Sequence, residues 1–254
     1  MRTVFSRLLL VALVSYVFAA CTAVTSASKS SAPPITHEAW TALLDAHVSE
    51  SGQVNYAGFV QDSVALNAYL DRLATHHPND SWTSNQKKAY WINAYNAFTV
   101  QLIVRNYPVE SIKELGGSIY KVNTPWDLRF IHIEGKTYDL NNIEHDILRK
   151  DWADPRIHFA INCASVSCPK LHHAAYEAGT LDKQLEEAAR AFINDPSRNV
   201  LSADAAQVSR IFKWFNGDFT GDMTLVAFIN RYANTPLTAD AEFSYLEYDW
   251  GLNE

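Results

Sequence analysis

The side chains best suited to covalent chemistry lie within residues 154–171, DPRIHFAINCASVSCPKL, which carry His158, Cys163 and Cys168. The apolar run HFAIN at 158–162 predicts a buried strand. Pro169 predicts the opening of a helical turn, because a proline at the first helical position loses no hydrogen bond. A thiol at that helix N-terminus, Cys168, has its pKa lowered by the helix dipole, and the free amides beside it stabilise an oxyanion. His158 or His145 then supplies the base, and Glu144, Asp154 or Asp218 the carboxylate that orients it, in the general pattern of a cysteine acyl-transfer site. Arg149 and Arg156 offer planar forks for a substrate carboxylate. Asn93 and Asn96, nearly one turn apart on a helix, offer amides to a ligand.

Each of these groups also has a purely structural reading. Cys163 and Cys168, five apart, are spaced to close a disulfide in an oxidising compartment, and that would remove the nucleophile. A histidine at a strand start is commonly a hydrogen-bonded core residue. Arg149 and Arg156, near Glu144, Asp151 and Asp154, suit an ion-pair network. Buried amides such as Asn93 and Asn96 often tie down neighbouring backbone. A two-thiolate, two-imidazole zinc site from Cys163, Cys168, His145 and His158 lacks the short ligand loops such sites use, so no metal is expected. There is no Gly-rich phosphate loop, GxSxG elbow or HExxH, and no cofactor is expected.

Several elements must position these groups. From Thr36, a candidate N-cap, Trp40, Leu43, Leu44, His47 and Val48 have helical spacing, and Leu66, Tyr69, Leu70 and Leu73 mark a second amphipathic helix from about Asp62. The stretch 85–106 leaves no polar face, so it predicts a helix buried in the domain centre. Residues 130–133 and 136–140 flank Glu134-Gly135 as a hairpin. A short helix follows, with Asn141 as N-cap and Glu144 three residues on as its capping-box partner. Residues 181–194 and 224–233 are amphipathic helices, and Val200, Leu201 and Val208 form a small hairpin around Asp204. The expected class is α+β: mostly helical, with a buried central helix and a small, mainly antiparallel sheet.

At the N-terminus Arg2 and Arg7 precede the apolar run 8–20, as in a secretory signal, and that run is shorter than the roughly 20 residues a bilayer span needs. It ends in Phe18-Ala19-Ala20-Cys21, which resembles a bacterial lipobox, so Cys21 is the expected lipidation site. Cleavage after Ala20 or Ala27, releasing a soluble protein, is the alternative. The expected organisation is a signal peptide at 1–20, a lipid-anchored Ser/Ala/Thr-rich linker at 21–34 and a single domain at 35–254. The place expected for it is the cell envelope, at the outer membrane facing the periplasm. The chain carries 21 Lys and Arg against 28 Asp and Glu, a formal charge of −7. Residues 1–20 hold two arginines and no acid, so their removal takes the charge to −9. That balance excludes nucleic acid as a partner of the domain as a whole, since such binding demands a basic face. The partners expected are the membrane, through the lipid anchor, and a small-molecule or peptide ligand.

Five segments resemble the domain of unknown function 547 family: YWINAYNAF at 90–98, NNIEHDILR at 141–149, residues 154–171, FKWFNGDF at 212–219 and YLEYDWGLN at 245–253. The resemblance implies a domain, and no reaction comes with it. Two function classes stay open on the residues alone. One is a thiol-dependent hydrolase or acyltransferase with Cys168 as nucleophile. The other is a non-catalytic ligand- or protein-binding envelope domain with a Cys163–Cys168 disulfide.

Overall fold

The apolar stretch around Tyr95 becomes the longest helix among the described residues, and the other elements are arranged against it. The computed structural model describes residues 32–116 and 124–254. Cys21, the signal segment 1–20 and most of the linker 21–34 lie outside them. Helices α1 (Glu38–His47), α2 (Tyr56–Gln61) and α3 (Ser63–Thr75) come first, followed by α4 (Ser84–Val104). In α1 the cap position is His37, one residue after Thr36. Helix α4 starts at a capping box: Thr83 accepts from the Gln86 amide, and the Gln86 side chain accepts from the Thr83 amide. Its residues from Lys88 to Ile103 are all buried, because α2 and α3 pack on it from one side and residues 142–148 from another.

The hairpin forms where the pattern puts it, from β1 (Ile131–Ile133) and β2 (Lys136–Tyr138). Glu134 and Gly135 both take positive φ, 57° and 69°, as the tight two-residue turn between twisted strands requires. The next segment, Asn142–Leu148, winds as a π-helix, a rare form that is frequent at functional sites, and runs into α5 (Arg149–Asp151). Its start corrects the expected capping box. Asp139 accepts from the Asn142 amide at 2.7 Å, and the Asn142 side chain accepts from the Asp139 amide at 3.2 Å. The reciprocal pair therefore sits two residues upstream, which leaves Glu144 free of any cap.

The expected strand at 158–162 is also corrected. Pro155–Phe159 is a 3-10 helix with the proline at its start and the Asp154 side chain accepting from the Arg156 amide. These local capping signals outweigh the apolar run that follows. Helix α6 (Leu181–Ile193) and the β3 (Val200–Leu201)/β4 (Ala205–Val208) hairpin match expectation. Short helices α7 (Ile211–Trp214), α8 (Asn216–Phe219) and α9 (Leu225–Asn230) follow. A fifth strand, β5 (Glu242–Tyr245), joins β4 in parallel and has no counterpart in the sequence reading. The fold is α+β and mostly helical, with two small sheets that are mainly antiparallel.

Apolar side chains gather in two clusters, one around α4 and one built on Phe159, Phe192, Phe212, Phe219 and Phe228. The tail at 246–254 returns across the loop that carries both cysteines. Val166 and Ser167 donate to the carbonyls of Gly251 and Asp249, and Leu252 pairs with Ser165. No helix among the described residues is long and apolar enough to cross a membrane.

Candidate thiol site

The cysteine loop is held from beneath by the two buried amides of α4. Asn96 donates to the Ala160 carbonyl at 2.9 Å and accepts from the Asn162 amide at 2.8 Å. Asn93 does the same for both backbone groups of Tyr176, at 2.8 and 2.9 Å. Both side chains are thus committed to backbone, so they position the site and do not face a ligand. Asn162 continues the clamp, donating to the Pro169 carbonyl at 2.7 Å and accepting from the Ala164 amide at 2.8 Å. Between these ties Ala164 adopts a left-handed conformation, φ 60°. For a residue with a Cβ this costs roughly 1–2 kcal/mol, which the surrounding bonds must offset.

That turn brings the two thiols together, with Sγ atoms 2.6 Å apart and both cysteines free. Cys163 is half-buried and Cys168 buried. The Cys163 sulfur contacts the Cys168 thiol, the Ser165 hydroxyl at 3.2 Å and the Tyr248 hydroxyl at 3.3 Å, and Ser165 also donates to Tyr248 at 3.3 Å. Burial pushes the Cys163 pKa up, but the bonds from Cys168, Ser165 and Tyr248 outweigh it and leave the thiol below its ordinary range. Cys168 moves the other way, raised by burial and by its bond to the Cys163 sulfur. Cys163 is therefore the more acidic thiol of the pair, although its own amide donates to the Cys168 sulfur at 2.8 Å. The helix terminus expected beside Cys168 is absent. Residues 168–172 form no helix, and the Cys168 amide donates back to the Ser165 carbonyl at 3.0 Å, so no helix terminus lowers the Cys168 pKa.

Both thiols line a cleft of about 180 Å³ where the two apolar clusters meet. Its aromatic walls are Tyr95, Trp126, Trp214, Phe215, Tyr248 and Trp250. Glu144, His145 and His158 line the same cleft, so the residues proposed for acid–base work do converge with the cysteines. Glu144 is buried, and burial, reinforced by the nearby Cys163 charge, raises its pKa to about 7; Arg149 and a bond from Tyr95 restrain the rise.

His158 is not free to serve as the direct base. Its Nε2 lies 2.7 Å from Asp218 and its Nδ1 3.9 Å from Glu144, with its ring stacked on Phe215 at 4.0 Å between centroids. Burial lowers its pKa, against the pull of Asp218. Asp218, the carboxylate bonded to His158, is gripped by both Nε and Nη2 of Arg149 at 2.6 and 2.8 Å. Arg149 and then His158 hold Asp218 well below the usual carboxylate range. His145 Nδ1 faces Arg149 Nη1 at 3.1 Å; since the guanidinium only donates, this nitrogen accepts and the ring is neutral.

Arg156 lies apart from the thiols. It bonds Asp154 and Asp182 at 2.8–2.9 Å, and Asp154 also pairs with Lys88, so these charges form an ion-pair network. Arg156 and Asp154 line a separate groove of about 980 Å³. Among the described residues no group of three or more His, Cys, Asp and Glu is placed to hold a metal ion. Tyr248 and Ser165 were not singled out from sequence. Ser165 sits inside the CASVSC loop, and Tyr248 belongs to the aromatic-dense tail YLEYDWGLN.

Fold and site define a helical α+β protein with a paired-thiol centre in an aromatic cleft. Residues 79–193 match the model of the family described as "Protein of unknown function, DUF547", in agreement with the resemblance in the sequence. The matched stretch runs from just before α4 to the end of α6 and includes both cysteines, Glu144, His145 and His158. Asp218 and Tyr248 come from beyond it. No curated protein and no solved structure matches the chain.

Proposed function

We propose that the protein is a thiol-dependent hydrolase or acyltransferase whose nucleophile is Cys163, acting on an amide, ester or peptide carbonyl that enters the aromatic cleft. The observation carrying this reading is the half-buried Cys163 sulfur, which lies within hydrogen-bond distance of the Cys168 thiol and the Ser165 and Tyr248 hydroxyls in the cleft that also contains Glu144. The thiolate attacks the carbonyl carbon, and the tetrahedral adduct collapses to a thioester as the amine or alcohol leaves. Glu144, poised near neutrality, gives its proton to the leaving group and, as a carboxylate, takes one from the incoming water or acyl acceptor. Tyr248, which already touches the sulfur, is placed to donate to the developing oxyanion. His158, Asp218 and Arg149 are positioning residues that fix the environment of Glu144.

The second part of the proposal is location. The signal-like segment and the Phe18-Ala19-Ala20-Cys21 ending support export and tethering of the domain to the envelope through lipidated Cys21. Palmitate labelling of wild type and Cys21→Ser tests this, and equal labelling would rule it out.

For the chemistry, native protein is mixed with p-nitrophenyl acetate and digested with trypsin. Both thiols fall on one tryptic peptide, 157–170. The expected result is a burst of nitrophenolate with one acetyl group on Cys163, absent in Cys163→Ala. Acetylation of Cys168 instead, or no burst, would overturn the assignment.

A further inference from the structure

We propose that Cys163 is an oxidation site and Cys168 its resolving thiol, so that a hydroperoxide converts the pair to a disulfide and external dithiols restore it. The proposal shares with the preceding reading only the nucleophilic thiolate of Cys163, and it stands whether or not that thiolate also attacks carbonyls. Three features of the loop carry it. The sulfurs are 2.6 Å apart, so no segment has to unfold for them to react. The left-handed Ala164 and the Cys168 amide bond to the Ser165 carbonyl already close the turn between them. The tail pins that turn through Val166 and Ser167, so a disulfide forms within the existing arrangement. Both thiols line the cleft, and Cys163 is the more exposed of the two, which suits it to meet the peroxide first.

The electron balance is complete with one hydroperoxide. The Cys163 thiolate attacks the terminal peroxide oxygen, the O–O bond breaks, and the departing alkoxide takes a proton to leave as an alcohol. Cys163 is then a sulfenic acid. The Cys168 sulfur attacks the Cys163 sulfur, the S–O bond breaks, and hydroxide leaves with the Cys168 proton as water. Two thiols have lost two electrons and the peroxide has gained them. A dithiol reductant returns the electrons by exchange, entering at the half-buried Cys163.

Because Cys163 is the proposed nucleophile, the oxidised form has no thiolate to acylate. Oxidation therefore switches acyl transfer off reversibly. The disulfide considered from the sequence and the catalytic thiol are then two states of one pair.

The test uses full-length reduced protein treated with one equivalent of tert-butyl hydroperoxide, quenched with N-ethylmaleimide and digested with trypsin. Expected is loss of two hydrogens from the unlabelled peptide 157–170, reversed by dithiothreitol. In Cys168→Ser, Cys163 should instead be trapped by dimedone as a sulfenic acid, and without dimedone a second equivalent of the hydroperoxide should carry it to sulfinic acid. Wild-type Cys163 that passes to sulfinic acid without a disulfide, or a pair that remains fully alkylatable after the peroxide, would overturn the proposal. A disulfide that forms in protein showing no acetyl burst would sink the acyl-transfer reading alone. A burst in protein whose thiols never join would sink this one alone.

Discussion

Replacing Tyr248 with Phe removes a hydroxyl that contacts the Cys163 sulfur and leaves the packing in place. The ring stands 4.8 Å from Trp214 and 4.5 Å from Trp250 between centroids, contacts that Phe retains. The hydroxyl lies 3.3 Å from the sulfur. A hydrogen bond to a charged group contributes about 1.5–3 kcal/mol, and a soft sulfur acceptor at this distance puts the value at the low end. Each pKa unit corresponds to about 1.4 kcal/mol, so the Cys163 pKa should rise by about one unit. The sign follows from the donor favouring the thiolate: without it the neutral thiol gains, and below its pKa the reactive fraction falls about tenfold. The assay is the pH dependence of iodoacetamide alkylation of native protein, followed on the peptide 157–170. Ser165→Ala should move the midpoint in the same direction. An unmoved midpoint in Tyr248→Phe, or labelling of Cys168 before Cys163, would refute the assignment of the thiolate to Cys163.

Asn96→Ala leaves the Asn162 amide and Ala160 carbonyl unpaired in the interior, at about 1–3 kcal/mol each, so urea melts should show a loss of roughly 2–6 kcal/mol and the cysteine loop should become more readily alkylated. Trp91→Ala should cost about 3–5 kcal/mol, since Trp91 is buried on α4 against Tyr90 and Tyr138; a drop below about 1 kcal/mol would contradict that placement. Asp218→Asn removes a carboxylate whose folded pKa lies below its unfolded value, so the stability it contributes is present above about pH 4 and lost as pH falls further. The gap between wild type and Asp218→Asn should therefore be wide at pH 7 and narrow on acidification, as read by denaturant melts at both ends.

Periodicity was enough for the helices. The stripes on α1 and α3, the all-apolar α4 and the amphipathic α6 each carry a repeat long enough to fix type and burial without tertiary information. The Glu134-Gly135 turn was equally legible, because few two-residue sequences tolerate two positive φ values. Short elements were not. HFAIN at 158–162 has strand-like composition, but Pro155 and the Asp154 cap start a 3-10 helix just ahead of it, and five residues of apolar pattern cannot override that. Strand β5 pairs with β4 across more than thirty residues, and no local pattern announces a parallel partner at that separation. Asp139 and Asn142 take the capping roles that the spacing assigns to Asn141 and Glu144.

The site was legible as a set of residue types and illegible in its roles, for a geometric reason. Cys168, His158, His145 and Glu144 do meet in one cleft, since the loop that carries the cysteines is stitched to α4 by Asn96 and Asn162. Choosing between the cysteines depends on what surrounds each sulfur, and those surroundings come from the far end of the chain. Tyr248 reaches Cys163 from 85 positions away, on a tail whose backbone bonds to Val166 and Ser167 hold it there. His158 is withheld from the thiols by Asp218, 60 positions on. A local reading could place a helix terminus beside Cys168, and that placement made it the acidic thiol. With the terminus absent and the hydroxyls arriving at its neighbour, the same electrostatic reasoning selects Cys163.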